Sequence, residues 1–499
     1  MNKQVRGFVV IWTLITFIIG TATFFGIYLT YNADENGIFG QNTVAIPIPA
    51  TDIPEQVAMV VTNTPAPLPT TAPTLTPEPQ EVADVSGAEN QAEQQADAGS
   101  QDSADIEQEA MEQQAAEEAV QTEPEIQPTA LPVSDTSFQL AVQVQAVIDG
   151  NPDVQRAWMN DVGNLGLNWY KQQIRWDEIE TAPGEFDWGR TDVSMRIQAE
   201  YGFRVLATVV TTPEWAREAG ADLAEVGPPA DNQDYVNFLR ALLERYPGQI
   251  HAIEVWNEQN IDREWASPDG LSAAGYVDLL RESFIAIKDM DPGIIVISGA
   301  LSPTGGFVDP QGVVRAIDDF DFMDQLIDAG MLNYADCIGA HHNGYNISPS
   351  VTWDNVENDP NATFRGPFDN PHHSWSFRST LQTYANKIQL AGGDQKLCVT
   401  EFGWPVTEDL GGTPEGFGFA DDNTLDEQAE WIIEAIDNMI EWDIVWIASV
   451  WNLNYGAQAG WDPSSDNTPY SLIGPDFARR PAFDAIVEWT RARQEDAGS

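Results

Sequence analysis

Apolar residues are not spread evenly along this chain. They form one unbroken run near the start, almost vanish for about a hundred residues, and return in short bursts at regular intervals. The bursts have the length of strands and fall at 139–145, 168–174, 204–210, 252–256, 294–298, 337–341, 396–400 and 445–450. Between them apolar positions recur every three or four residues, the period of one helix face. Residues 272–290 carry Tyr276, Leu279, Leu280, Phe284 and Ile287 in that pattern, and Asp291-Pro292-Gly293 ends the helix and feeds the next strand. Residues 425–440 repeat the pattern after the seventh burst. Strands alternating with helices predict a parallel sheet, and eight such units predict a closed α/β fold, the (β/α)8 TIM barrel. The alternative is an open doubly wound sheet, which would carry a glycine-rich phosphate loop after its first strand; this chain has none. The barrel domain is assigned to residues 136–495.

The opening apolar run, residues 7–30, contains no charge and matches the ~20 residues a helix needs to cross a bilayer. Lys3 and Arg6 precede it and Asp34 and Glu35 follow, so the positive-inside bias puts the N-terminus in the cytoplasm and the rest outside. Residues 1–30 are therefore predicted to be a signal-anchor transmembrane helix at the cell membrane. The alternative is a secreted protein, cut near Gly20 or Ala22, although the apolar run outlasts the ~7–15-residue core of a signal peptide. Residues 31–135 hold 20 acidic side chains and no Lys or Arg. Thr, Pro and Ala alternate over 62–80, and Ala, Glu, Gln, Asp and Ser make up 89–121. Such a segment cannot bury a core and reads as a disordered spacer, extended by self-repulsion beyond the ~60 Å of a flexible coil.

The chain has a formal net charge of −55, of which −37 belongs to residues 136–499. A surface so acidic repels nucleic acid and anionic polymers and is better suited to a neutral sugar polymer. Two cysteines, Cys337 and Cys398, are too few for a disulfide framework. Cys337 lies four residues before His341 and Cys398 three before Glu401; if both of those residues face inward, alternation sends the two sulfurs to opposite faces, and two buried free thiols are predicted.

Catalytic groups of such a barrel come from the C-terminal ends of its strands. Strand four closes with Glu254-Val255-Trp256-Asn257-Glu258 and strand seven with Val399-Thr400-Glu401-Phe402-Gly403-Trp404. Two carboxylates facing each other across the mouth are the minimum machinery for cleaving a glycosidic bond: one protonates the leaving oxygen and the other attacks the anomeric carbon. Glu258 and Glu401 are the candidates. Trp256-Asn257-Glu258 and Thr400-Glu401-Phe402-Gly403 resemble the acid/base and nucleophile motifs of glycoside hydrolase clan A, nearest to families 39 and 5. The run 175–188, Arg-Trp-Asp-Glu-Ile-Glu through Pro-Gly-Glu-Phe-Asp-Trp, resembles the clan's loop after strand two.

The resemblance, over about residues 138–489, implies a retaining β-glycosidase without cofactor, with Glu258 as acid/base and Glu401 as nucleophile. Their tasks require Glu258 to be protonated while Glu401 is ionised, and the charge of Glu401 should itself raise the pKa of Glu258. Arg175 matches the clan's arginine on the nucleophile, Asn257 the residue that holds the sugar 2-hydroxyl, and Trp451 the aromatic platform under the sugar. His341 and Tyr345 close strand six in His341-His342-Asn343-Gly344-Tyr345. The clan often has His-x-Tyr there, and Asn343 stands at the tyrosine position, so which aromatic hydroxyl approaches the nucleophile is left open, as is the role of His342. Trp215, Trp265, Trp404 and Trp461 fall in loops on the same face, either stacking on sugar or packing in the core. The His341-His342 pair lacks a third ligand at suitable spacing, and no metal is expected.

Alternation also turns Gln139, Gln143 and Gln145, Lys171 and Gln173, and Glu254 inward, which predicts an interior polar on one side, with a Lys171–Glu254 ion pair. The expected partners are an oligo- or polysaccharide and, through the N-terminal helix, a membrane; the catalytic domain is expected to be monomeric. A catalytically silent carbohydrate-binding or cell-wall attachment protein on the same barrel is the alternative. Sugar identity, and endo against exo action, are not legible.

Overall fold

The structure is a computed structural model that describes residues 136–498 other than Asp149. The expected membrane helix and acidic spacer lie outside the described residues. Among the described residues no helix is long and apolar enough to cross a membrane.

Eight strands follow the eight apolar bursts closely: β1 Gln139–Gln143, β2 Trp169–Arg175, β3 Arg204–Val210, β4 Ala252–Val255, β5 Ile295–Ser298, β6 Ile338–Asn343, β7 Leu397–Gly403 and β8 Val445–Val450. They pair in parallel in the order β6-β7-β8-β1-β2-β3-β4-β5. Parallel bridges from Ile297 to Cys337 and from Leu301 to Ala340 close the ring between β5 and β6. Gly339 is needed at this seam, because a Cβ there would collide with the Ser298 carbonyl oxygen. The predicted (β/α)8 barrel is the fold observed.

The outer helices are α1 Pro152–Asn164, α2 Gly189–Tyr201, α3 Asn232–Arg245, α4 Ala273–Met290, α5 Asp319–Asp328, α6 Phe377–Leu390, α7 Leu425–Trp442 and α8 Pro481–Gly498. Local sequence fixes their ends. Ser272 caps α4 by accepting from the Gly275 amide, and Thr424 and Glu427 form a reciprocal capping box at the start of α7. Tyr276, Leu279, Leu280, Phe284 and Ile287 are all buried, as their spacing predicts.

The barrel interior is layered. At the bottom Ala141, Trp169, Leu206, Ala252, Cys337, Cys398 and Ile447 form an apolar plug. Two residues further along six of these strands come Gln143, Lys171, Thr208, Glu254, Thr400 and Ser449, all buried and all polar. The polar interior foreseen from the sequence exists, but as a layer at one height along the axis that runs across six strands and not as one polar side.

One expectation is overturned here. Cys337 and Cys398 are not free thiols; they form a disulfide with Cα atoms 5.7 Å apart. The inference failed because β7 is irregular. Its register with β8 shifts between Val399 and Phe402, and that of β6 with β7 shifts between Ala340 and His341. The bulge turns two consecutive residues, Thr400 and Glu401, into the barrel, so strict alternation cannot be counted back from Glu401. Cys398, two residues before Thr400, faces inward after all.

Candidate active site

The polar layer supports a cavity of about 690 Å³ at the C-terminal mouth, whose floor and walls include Asn257, Glu258, Asn343, Tyr345, Glu401 and Trp451. Glu258 reaches it through an unusual turn after β4. Trp256 and Glu258 both have left-handed backbones, with φ of 74° and 45°. For non-glycine residues this costs about 1–3 kcal/mol each and persists only where surroundings hold it. Those surroundings are visible. The buried Trp256 ring packs against Tyr235 and Trp265, and its Nε1 donates to the Glu264 carbonyl at 2.9 Å. The Glu258 amide donates to the Ala300 carbonyl at 2.9 Å, while Gln259 and Asn260 tie the turn to the loop after β5 at Gly299 and Ser302.

Glu401 enters from the β7 bulge. Its Oε1 lies 3.2 Å from Lys171 Nζ, and its Oε2 accepts from Asn343 Nδ2 at 3.4 Å. Lys171 also lies 3.3 Å from Glu254, the predicted ion pair. Thr208 and Thr400 hydroxyls each donate to Glu254 at 2.6 Å. Burial pushes the Glu254 carboxyl up, but Lys171, His341 and the two hydroxyls outweigh it and hold the group below the usual carboxylate range.

The expected arginine on the nucleophile is not found there. Arg175 turns to Asp177 and Glu178, at 3.2 and 3.3 Å, and lines an adjoining cavity of about 400 Å³. It stands four residues above Lys171 on β2, about 13 Å at a strand's rise, and Lys171 is the cation at the level of Glu401.

His341 joins the two candidate carboxylates. Its Nδ1 lies 3.1 Å from Glu258 Oε1 and 3.7 Å from Glu401 Oε2. Burial works against the charged imidazole, but Glu401 and Glu258 prevail and raise its pKa above the ordinary value. Glu258 shifts the opposite way from the sequence expectation. Burial pushes it up, yet His341, Arg263 and Ser302 prevail and hold it low. The two shifts run in opposite directions, so the hydrogen bond between His341 and Glu258 favours the proton on the imidazole side.

Asn257 is buried with its Oδ1 lacking a protein partner at the cavity wall, so it can serve a ligand hydroxyl. Asn343, at the tyrosine position of the motif, itself supplies the donor to Glu401. Tyr345 lines the wall, edge-on to Trp375 at 4.6 Å, and burial raises its hydroxyl pKa to about 12. Two tyrosines feel the Glu401 charge, Tyr455 and Tyr470, both raised above their ordinary range first by burial; Tyr455 accepts from Gln143 at 2.7 Å and packs 4.7 Å from Trp451. Burial beside Phe377 pushes His342 down to about 4, which makes it a neutral packing residue.

Of the tryptophans, Trp451 lines the cavity, whereas Trp404 and Trp215 do not. Trp404 is buried against Phe377 and donates to the Ile347 carbonyl at 2.9 Å. Trp215 donates to the Glu180 carbonyl at 3.0 Å and meets Trp176 edge-on. Both pack the core beneath the loops, as does Trp265, whereas Trp461 is half-buried edge-on to the exposed Phe477, also away from the cavity lining. The aromatic wall comes instead from Phe364, Trp375, Phe417, Phe419 and Tyr470. These lie in long loops away from strand ends, and only the clustering of aromatics in 364–377 and 417–419 could have flagged them. Glu225, Glu264 and Asp466 add acidity to the wall, against the single cation Arg263. Burial, with Glu258 nearby, raises Glu264 to about 7.

No family model matches the sequence, and no curated protein does. Solved structures share the fold. A family 39 glycoside hydrolase from the gut symbiont Bacteroides cellulosilyticus WH2 superposes with a TM-score of 0.50 at 16% identity, covering 70% of this chain and 62% of that one. The family 39 enzyme from Xanthomonas axonopodis pv. citri gives 0.49 at 16%, over 72% and 67%. A GH5_18 structure from Streptomyces cattleya in complex with GlcNAc gives 0.48 at 16%, over 72% and 80%. This chain thus spans about 62% of the length of the first of these. At such identities the likeness is one of fold, the fold that the motif resemblance implied.

Proposed function

We propose that this protein is a retaining β-glycosidase acting on neutral oligo- or polysaccharides, with Glu401 as nucleophile and Glu258 as acid/base. The observation that carries the reading is the sharing of one imidazole nitrogen by two buried carboxylates at the ends of β4 and β7. The two oxygens cannot be further apart than the 3.1 and 3.7 Å contacts laid end to end. That ceiling reaches only the lower edge of the ~6.5–9.5 Å used by inverting enzymes and accommodates the ~5–5.5 Å of retaining ones.

In the first step Glu401 attacks the anomeric carbon while the glycosidic oxygen leaves with the proton of Glu258, which His341 has passed to it beforehand, so that Glu258 is left as a carboxylate and His341 neutral. Lys171 and Asn343 hold the Glu401 carboxylate in place. In the second step Glu258 removes a proton from water as the water displaces Glu401 and the carboxylate is restored. Asn257 would hold a sugar hydroxyl and Trp451 one ring face. The acidic wall favours a neutral sugar over an anionic one. We infer also that the domain works outside the cell, held by the N-terminal anchor; the Cys337–Cys398 disulfide suits an oxidising compartment.

Aryl β-glycosides test the reading. Glu401→Gln should lose turnover on every leaving group, whereas Glu258→Gln should lose ~10²–10⁴-fold on poor leaving groups and far less on dinitrophenyl glycosides, which depart without a proton. NMR of the first-formed anomer should show retention. Equal, slow rates for wild type and Glu401→Gln would leave a silent carbohydrate-binding barrel, and an inverted anomer would exclude double displacement.

A further inference from the structure

Beside the cavity, three side chains converge that the glycosidase chemistry does not use. Asp318, His372 and His373 each offer one donor atom, and the three atoms lie within 4.8 Å of one another. Asp318 caps α5 with Oδ1, which accepts from the Phe320 amide at 2.9 Å. That leaves Oδ2 facing both imidazoles: His373 Nε2 at 2.8 Å and His372 Nε2 at 3.6 Å. We propose that Asp318, His372 and His373 form a structural site for a borderline divalent cation such as Zn2+, bound through Oδ2 and the two Nε2 atoms, with water completing a tetrahedron.

The donor set and its surroundings support this. Imidazole and carboxylate are the ligands Zn2+ takes outside thiolate sites. Its bonds of ~2.0–2.2 Å set tetrahedral ligand-to-ligand edges of ~3.3–3.5 Å. The two measured edges fall on either side of that value, so small rotations suffice. The far side of each ring is also provided for. His372 Nδ1 lies 2.8 Å from Ser374 Oγ and accepts from the Ser374 amide at 3.3 Å; with an ion on Nε2, the ring proton moves to Nδ1, where Ser374 Oγ can take it. His373 Nδ1 makes no hydrogen bond and lies 3.6 Å from the buried Asp319 carboxylate, close enough that a small rotation would give the outer partner that a ligating histidine usually has. Phe320 stacks on the His373 ring at 3.6 Å and fixes its plane. Gly305 leaves room for the His372 ring, since a Cβ there would lie 3.2 Å from it. The three side chains are partly exposed, which leaves a path for the ion and its water.

Such an ion would rivet the loop before α6 to the segment that follows β5. Both border the cavity, through Trp375 on one side and Ser302 and Pro303 on the other. Its role is to hold the aromatic wall, and it takes no part in bond cleavage.

The test uses the full chain after chelator treatment. Zn2+ should bind with a stoichiometry of one by calorimetry and raise Tm, and Co2+ should give the intense visible bands of a tetrahedral complex. His372→Ala and Asp318→Asn should each weaken Zn2+ at least about tenfold and abolish the Tm rise, while His251→Ala keeps both. Circular dichroism checks that the variants fold. Wild type without a Zn2+-dependent Tm rise and without tetrahedral Co2+ bands would overturn the proposal, as would unchanged affinity in the Asp318 and His372 variants.

Discussion

Lys171 is fully buried and touches two carboxylates, Glu254 at 3.3 Å and Glu401 at 3.2 Å. A lysine at this depth is tolerable only because two carboxyl groups face it and the remaining lone pairs of Glu254 are satisfied by Thr208 and Thr400. Lys171→Met should therefore lower stability by about 3–5 kcal/mol, since it leaves one buried charge too many. The double variant Lys171→Met/Glu254→Gln should recover much of that loss. Urea denaturation of the three proteins checks both, and an unshifted midpoint for the single variant would show that the network contributes nothing. The ion pair to Glu254 was readable in the sequence, because plain alternation along β2 and β4 turns both residues inward. The contact to Glu401 was not, and neither was the substitution of Lys171 for Arg175. Arg175 matches a motif, but its height on the strand puts it among Asp177 and Glu178 at the rim.

At the scale of elements, β7 is where the pattern and the structure part. The apolar bursts located every strand to within a few residues, because the strand faces turned to the surrounding helices, and the lowest layer inside the barrel, are apolar. A bulge leaves no such mark: nothing in Cys398-Val399-Thr400-Glu401 announces that Thr400 and Glu401 share a face. Two consequences follow from that one irregularity, the position of Glu401 and the pairing of the cysteines. The Cys337–Cys398 bond closes a 61-residue separation, and in the chain-entropy account its loss costs at most about 4 kcal/mol. Cys337→Ala/Cys398→Ala should lower the urea midpoint accordingly. Denatured but unreduced wild type should give no titratable thiol; two thiols per chain would restore the free-cysteine reading.

The whole molecule is governed by its charge. Residues 136–499 carry −37, spread over a folded domain whose ion pairs are mostly partly exposed and worth little singly. Self-repulsion should therefore destabilise the barrel at low salt. Raising ionic strength from ~0.01 to ~0.15 M shortens the screening length from ~30 to ~8 Å and should raise Tm. A flat or falling Tm would mean that favourable local pairs outweigh the net repulsion.

What the sequence determined by itself was whatever depends on short-range pattern: the number and order of strands, the helices and their caps, a polar interior, and the strand ends that carry Glu258, Glu401 and Asn257. Periodicity and alternation are local, so they survive without knowledge of neighbours. Only the tertiary structure decided which tryptophans meet the cavity, which cation serves Glu401, that His341 lies between Glu258 and Glu401, and that the cysteines pair. Each of these depends on height along the barrel axis, on a bulge, or on loops from distant strands meeting at one mouth, and none of those is encoded in the spacing of residues along the chain.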